Sequence, residues 1–318
     1  MTEDRPTPVP RSIVERLFLS PEERRLRAAW RLLLHAGLMG ILTVVVSLPV
    51  GVAAAVVAAL QPSGSILEST PILLASSLAS LVAITLATWL ARRFLDRRSF
   101  RSLGLQVDRH TLPDLVFGFM LTGLVMGVVY LAEWRLGWLQ FQGWAWESLS
   151  GAGVLAGVLG SLALFVCVGF QEELFSRGYH LQNLTEGLNL PWAVLLSSAI
   201  FGVLHLANPH ATWAAAAGIL VAGYFLAYGW IRTRRLWLSI GLHIGWNFFE
   251  GTIFGFAVSG TRGFNLIRQT VAGPVWITGG LFGPEAGTIV LPAIALGAAL
   301  IWAYTRRRTE STAGFQSP

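Results

Sequence analysis

Residues 171–177 read Gln-Glu-Glu-Leu-Phe-Ser-Arg and place two carboxylates and a guanidinium at the end of an apolar run. Ionisable groups at membrane depth are costly, so their presence in such a run indicates function. In a helix, Glu173 and Arg177 are four residues apart and can pair on one face, whereas Glu172 points about 100° away. The spacing therefore predicts a Glu173–Arg177 ion pair and leaves Glu172 available for chemistry.

The composition of the chain is that of a membrane protein. Of its 318 residues, 54% are hydrophobic and only 13% are charged, and the mean hydropathy is +0.60; such values are typical of membrane proteins. A net charge of +6 would suggest a nucleic-acid partner in a soluble protein, but in a membrane protein the positions of the charges matter more than their sum. We therefore expect the lipid bilayer as a partner, and no nucleic acid. The oligomeric state is not indicated.

Eight apolar segments are candidates for membrane-spanning helices. They cover residues 32–60, 71–91, 114–132, 152–171, 192–206, 212–231, 236–256 and 289–304. The predicted fold is an all-α polytopic membrane protein with about eight transmembrane helices. We predict a polar tail at 1–28, a single transmembrane domain at 29–305 with its core at about 152–256, and a second tail at 306–318. The Gly-rich segment 257–288 fits a re-entrant or lid segment and an ordinary loop equally well.

The basic residues, all of them arginine, are unevenly distributed along the chain. If the amino terminus is inside, all but Arg135, Arg262 and Arg268 fall in cytoplasmic segments. The positive-inside rule therefore predicts that both termini are cytoplasmic.

Two later apolar helices contribute the motifs Phe201-x-x-x-His205 and His243-x-x-x-Asn247. The second motif puts an imidazole and an amide on one helix face, where both can donate an N–H to the oxyanion of a tetrahedral intermediate. A carboxylate in a site with little water can act as a general base, so we assign the activation of water to Glu172, with His205 sharing the proton. The residues alone also fit a structural interpretation, in which the charges cap a helix and the histidines make ordinary helix–helix hydrogen bonds.

Glu172, His205 and His243 also have the chemistry of a metal site, because two imidazoles and a carboxylate are the ligands of many hydrolytic zinc centres. Zinc is therefore a candidate cofactor, although the chemistry does not require it. Other intramembrane protease mechanisms have signatures that this sequence lacks. It contains no His-Glu-x-x-His, no Gly-x-Ser-Gly of the rhomboid kind, and no pair of aspartates inside the spans. A zincin, serine or aspartyl mechanism is not expected.

Taken in order, Glu172-Glu173-x-x-x-Arg177-Gly178 and the two later motifs resemble the CPBP family of intramembrane proteases. That family comprises the type II CAAX prenyl endopeptidases and the bacterial Abi, or bacteriocin-processing, proteins. The match covers about a third of the chain, and three motifs in order are far more specific than one.

The resemblance implies a glutamate-dependent endopeptidase embedded in a membrane, expected here to be a bacterial plasma membrane. Its substrate would be a membrane-associated protein or peptide, prenylated or not. Glu172 would activate water with His205 as its partner, and His243 and Asn247 would form the oxyanion site. The remaining motif members would have supporting structural roles: Glu173, Arg177 and Phe201.

Two other functions stay open on the sequence. One is a non-catalytic membrane scaffold or bacteriocin self-immunity protein, and the other is a transporter whose buried Glu and His relay protons. The span boundaries also raise a geometric problem for catalysis. Glu172 ends one span and His205 ends the next, so the two are predicted at different depths, about 20 Å of helix apart. A separation above about 10 Å would contradict the catalytic assignment.

Overall fold

A computed structural model describes residues 12–20, 23, 25–60 and 70–313 of the chain. Within these ranges the structure is helical apart from one two-stranded sheet, which confirms the predicted all-α class. The helices are α1 (Ile13–Phe18), α2 (Ala28–Leu60), α3 (Thr70–Leu90), α4 (Thr111–Arg135), α5 (Gly151–Glu173), α6 (Leu181–Gly187), α7 (Leu190–Leu204), α8 (Trp213–Thr233), α9 (Trp237–Asn247), α10 (Val275–Thr278) and α11 (Val290–Ala313). The strands are β1 (Leu139–Trp144) and β2 (Ile267–Val271). Parts of both predicted tails lie outside the described residues.

Several helices have the length and composition needed to cross a membrane, as predicted for a multi-pass integral membrane protein. Among the described residues there are six such segments: Ala28–Leu60, Pro71–Leu95, Thr111–Arg135, Gly151–Gly187, Leu190–Ala207 and Trp213–Thr233. The predicted total of eight is not confirmed, because α9 has only 11 residues and the apolar part of α11, Val290–Arg306, is also short.

The helix that carries the charged stretch does not end there. A π-helical segment, Leu174–His180, joins α5 to α6 without a break, since the charges inside it are paired within the protein. The chain reverses only after Gly187, where Asn189 accepts a hydrogen bond from the backbone N–H of Trp192 and caps α7. Glu172 and His205 are thus nearly equidistant along the chain from this turn, which brings them to the same level. The predicted difference in depth is wrong because the predicted span ended at its first charges.

Asp96 lies at the centre of a buried ion cluster that ties three helices together at one end of the bundle. Its two carboxylate oxygens accept hydrogen bonds from Arg31 of α2 at 2.7 Å and from Arg92 at 2.8 Å. Arg31 also binds Glu186 of α6 at 2.8 Å. The start of α2, the end of α3 and the end of α6 therefore meet here.

Further polar contacts hold the turn between α8 and α9 on the same side of the bundle as the Asp96 cluster. Arg235, in the turn between α8 and α9, pairs with Asp108, and this contact together with the backbone N–H of His110 lowers the pKa of Asp108 to about 2. The backbone N–H of Leu236 donates to the carbonyl of Gly104 at 2.9 Å. We call this side of the bundle the arginine-rich end.

The opposite side of the bundle, here called the sheet end, is built from the loops after α4 and α9. Strands β1 and β2 pair antiparallel, with Leu139 opposite Val271 and a bulge between Phe141 and Gly143. The loop after α9 thus contains a strand and short helical turns rather than an ordinary flexible loop. It is anchored by the carbonyl of Phe282, which accepts from the backbone N–H of Gly260 at 2.8 Å.

Glycines allow α4 and α9 to pack at close range. A Cβ atom on Gly118 of α4 would lie 2.6 Å from the carbonyl oxygen of Leu238, closer than van der Waals contact permits. Gly241 and Gly245 of α9 face Leu115 and Phe119 of α4 in the same way. Such small residues at four-residue spacing let helix backbones approach in a membrane protein, and here they hold α9, the carrier of His243, against α4.

Candidate active site

A cavity of about 420 Å³, here called the main cavity, lies between α3, α5, α8 and α9 under the loop that follows α9. Five of the predicted site residues line it: Glu172, Phe201, His205, His243 and Asn247. The other two, Glu173 and Arg177, are buried and reach the lining through His243. The structure therefore brings the three sequence motifs to one place.

Glu173 and Arg177 form the predicted ion pair. Arg177 Nη1 lies 2.7 Å from Glu173 Oε1, and both side chains are almost completely buried. Arg177 Nη2 also donates to the carbonyl of Gly223 at 3.1 Å, and its guanidinium lies 4.4 Å from the ring centroid of Phe201. The same Oε1 of Glu173 accepts from Nδ1 of His243 at 2.9 Å. The pair thus orients an imidazole of the cavity in addition to its predicted structural role.

Glu172 points into the main cavity, as its position on the helix predicts, with its side chain 28% exposed. Its Oε2 atom lies 4.0 Å from Nε2 of His205 and 3.7 Å from Nε2 of His243. These distances are far below the separation of about 10 Å that would contradict the catalytic assignment. They are slightly longer than direct hydrogen bonds, and polar atoms so spaced are commonly bridged by water.

The partners of the two histidines determine which ring nitrogen carries hydrogen. Nδ1 of His205 lies 2.7 Å from the carbonyl oxygen of Phe201, and a carbonyl only accepts, so Nδ1 is the donor. Nδ1 of His243 likewise donates to the Glu173 carboxylate. In the neutral ring the other nitrogen is an acceptor. In its neutral form each imidazole therefore turns an Nε2 acceptor toward Glu172, whereas a doubly protonated His243 turns an Nε2 donor there.

Asn247 lies one helical turn after His243 on α9. It is buried and lines the main cavity. Directly after it the helix widens into a π-helical turn, Phe248–Ile253, just as the helix widens directly after Glu173. Such turns are frequent at functional sites because they change the direction in which side chains point. Periodicity alone could not have located them.

The motif residues all lie in one segment that matches a known family. Residues 154–249 match the family described as type II CAAX prenyl endopeptidase Rce1-like. The predicted resemblance is confirmed over this segment. At the level of the family, the match supports a CAAX-type intramembrane protease and a multi-pass membrane protein. The resemblance to the bacterial Abi proteins and the dependence on a metal remain predictions.

One curated relative of the chain is an uncharacterized protein, YyaK, of Bacillus subtilis (strain 168). It is 30% identical over 168 residues, which cover 51% of this chain and 54% of the relative. The chain thus spans about half the length of the curated relative that it matches. No solved structure matches the chain.

The predicted metal ligands do not form a metal-binding group. Among residues 12–20, 23, 25–60 and 70–313, no three His, Cys, Asp or Glu side chains are arranged to hold a metal ion. The donor types of Glu172, His205 and His243 suit zinc, but their spacing does not place them on one ion. We therefore derive no catalytic step through a metal.

Glu285, which sequence reasoning missed, is a buried carboxylate in the wall of the main cavity. It accepts hydrogen bonds from Trp246 Nε1 at 2.9 Å, from the backbone N–H of Ser259 at 2.8 Å and from Ser259 Oγ at 2.6 Å. The carbonyl of Ser259 in turn accepts from Asn208 Nδ2 at 3.1 Å. Glu285 therefore clamps the loop after α9 to α9 itself and to the segment that follows His205. Burial raises the pKa of this carboxyl.

Glu250 is completely buried in the π-helical turn after α9. Neither of its carboxyl oxygens has a hydrogen-bond partner among the described residues, and it interacts electrostatically with Glu285. It does not line the main cavity, although the next residue, Gly251, does.

Replacing Glu285 by Ala should loosen this clamp, because the N–H groups of Trp246 and Ser259 would be left buried without an acceptor. Each unsatisfied donor costs about 1–3 kcal/mol. We expect a lower unfolding midpoint and faster cleavage of the loop after α9 by an added protease. Glu285→Gln, which keeps one acceptor oxygen, should lose less stability than Glu285→Ala. Glu147→Ala, in the exposed loop after α4, is the control. Equal protease resistance in Glu285→Ala and wild type would contradict the clamp.

A second cavity of about 240 Å³, the side cavity, lies between α2, α3 and α7. It is lined by Met39, Ile84 and Leu204 among other residues. It shares Glu172, Phe201, His205 and Asn208 with the main cavity. Glu172 and His205 therefore lie where the two cavities meet.

Proposed function

We propose that this protein is an intramembrane endopeptidase that hydrolyses a peptide bond of a membrane-associated protein or peptide. The observation that carries the proposal is the position of the Glu172 carboxylate, 3.7 and 4.0 Å from two imidazole nitrogens inside a cavity. The family match of residues 154–249 supports the same class of reaction. The roles of individual residues follow from their contacts.

Glu172 is the general base of the proposed reaction. A water molecule between its Oε2 and the Nε2 of His205 loses a proton to the carboxylate as its oxygen attacks the peptide carbonyl carbon. The Nε2 of His205 is unprotonated and accepts this proton, and the imidazolium then delivers it to the departing amine nitrogen. The products are a carboxylic acid and an amine, so water is the sole co-reactant.

His243 and Asn247 are the proposed donors to the oxyanion. Both lie on the same face of α9 and line the main cavity. The amide of Asn247 offers N–H groups to the main cavity, and His243 donates from Nε2 when it is protonated. Glu173 favours that protonated form because its carboxylate accepts from Nδ1 at 2.9 Å. Donors held in place before the reaction stabilise the developing charge without reorganisation.

The two cavities favour cleavage within a chain over removal of a terminal residue. A peptide bound at Glu172 has space on both sides, toward the main cavity and toward the side cavity. Pockets of a few hundred Å³ with mainly apolar walls and a few polar groups are typical ligand sites. An endopeptidase needs such space on each side of the bond that it cuts.

A His205→Ala variant tests the proposal. Loss of a positioned acid–base group lowers rates by at least about 10²-fold, so cleavage by purified protein in lipid should fall by that amount. The assay uses a panel of membrane-tethered peptides, with and without a prenyl group, and is repeated with a zinc chelator. His110→Ala, at the arginine-rich end, is the matched control. If folded wild-type protein cuts nothing in the panel, or if His205→Ala cuts as fast as wild type, the proposal is contradicted.

A further inference from the structure

The two ends of the helix bundle differ strongly in charge. Residues 91–110 at the arginine-rich end contain six arginines: Arg92, Arg93, Arg97, Arg98, Arg101 and Arg109. The short turn between α8 and α9 adds Arg234 and Arg235. The described part of the sheet end holds Arg135 at the end of α4 and Arg262 and Arg268 in its loops, and Arg268 is paired with Glu147 at 3.2 Å. Short loops rich in arginine mark the cytoplasmic side, so the sheet end faces the opposite side.

Segments of the sheet end contribute to the walls of the main cavity. Its walls include Ser76 and Ser77 in the first turns of α3, Gly251 after α9, and Thr261 and Arg262 in the loop that follows. None of the described residues that line it comes from residues 91–110 or from the turn between α8 and α9. Its mouth is therefore formed by segments of the sheet end.

Toward the arginine-rich end the bundle is closed below Glu172. The next residues of the same helix, Leu174, Tyr179 and Leu181, are completely buried. The Arg177–Glu173 pair fills the space beside them with almost no exposure. A peptide that approached from the cytoplasm would have to displace this packed layer.

We infer that the main cavity opens on the extracytoplasmic side of the membrane and receives a peptide chain presented there. This inference rests on the proposed function for its substrate, and on the charge distribution for its direction. The substrate is then a protein or peptide that is exposed at, or anchored in, the outer face of the membrane. A tail presented on the cytoplasmic face does not reach this mouth.

Cysteine labelling tests the direction without relying on cleavage. The chain has one cysteine, Cys167, so single-cysteine variants can be built on Cys167→Ala. In intact cells, a charged maleimide that cannot cross membranes should label Arg262→Cys at the mouth and Ser77→Cys in the cavity wall as fully as it does in permeabilised cells. Arg101→Cys at the arginine-rich end should be labelled only after permeabilisation. The reverse pattern would overturn the inference, whatever the protein cleaves.

A pair of membrane-tethered reporters tests the substrate side. Both carry one peptide that purified wild-type protein cuts, one on the extracytoplasmic side and one on the cytoplasmic side. Cleavage of the extracytoplasmic reporter, lost in Glu172→Gln, supports the inference, and cleavage of the cytoplasmic reporter alone overturns it. A protein that cuts no peptide at all counts against the proposed function, and the labelling pattern then still decides where the cavity opens.

Discussion

Glu172→Gln is expected to reduce peptide cleavage by up to about 10⁴-fold, the upper range for loss of a general base. The amide is nearly identical in size but cannot take a proton from water. The fold should be retained, because the Glu172 side chain is 28% exposed and the imidazole nitrogens near it are 3.7 and 4.0 Å away, beyond direct hydrogen-bond distance. The measurement is the initial rate of cleavage by purified protein in lipid, with the unfolding midpoint recorded beside it.

The matched control for this variant is Glu147→Gln. Glu147 is also partly exposed, and it pairs with Arg268 at 3.2 Å in the loop after α4, away from the cavity. Exposed pairs contribute about 0–1 kcal/mol, so stability and cleavage should both stay close to wild type. If Glu172→Gln cleaved peptides at the wild-type rate, the assignment of Glu172 as the general base would be contradicted.

Arg177→Met should destabilise the protein by about 3–5 kcal/mol, the range for breaking a buried ion pair from one side. The side chain is 1% exposed and binds Glu173 at 2.7 Å. Its loss leaves a carboxylate buried without its cation, leaves the carbonyl of Gly223 without a donor, and removes the guanidinium from the ring of Phe201. The unfolding midpoint in detergent or lipid measures the effect. Arg101→Met, at an exposed position, is the control.

A double variant separates the charge from the packing. If Arg177→Met loses stability mainly because the Glu173 carboxylate is left unpaired, adding Glu173→Gln should restore most of that stability. Cleavage should not be restored, because His243 would lose the carboxylate that accepts its Nδ1 hydrogen at 2.9 Å. A single Arg177→Met variant that unfolds at the wild-type midpoint would contradict the importance of the pair. Full cleavage by the double variant would contradict the proposed role of Glu173 toward His243.

Features with a helical period could be predicted from the sequence. The four-residue spacing of Glu173 and Arg177 predicts their contact because the α-helix itself brings such residues together. The same spacing explains why His243 and Asn247 share a face and why Gly241 lies one turn before Gly245. The apolar composition determines the membrane class in the same direct way, since chains of this hydropathy bury their surface in lipid.

Contacts between segments that are far apart in the sequence could not be predicted from helical periodicity or hydropathy. The span that was predicted to end at its first charges continues to Gly187, because those charges are neutralised inside the bundle rather than by water. Glu285 is an ordinary loop glutamate in the sequence, and only its contacts with Trp246 and Ser259 make it part of the site. Strand β2 was not predicted, since it depends on pairing with β1 more than a hundred residues earlier.

By itself, then, the sequence determined the helical membrane class, the Glu173–Arg177 pair and the three motifs from which the site is built. Tertiary structure alone decided that Glu172 meets His205, that Glu173 holds His243, and which end of the bundle the cavity faces. The physical reason is the range of the interactions. Helix periodicity and hydropathy act over a few residues and can be read along the chain, whereas the turn after Gly187 and the packing of α9 bring together groups that are tens of residues apart.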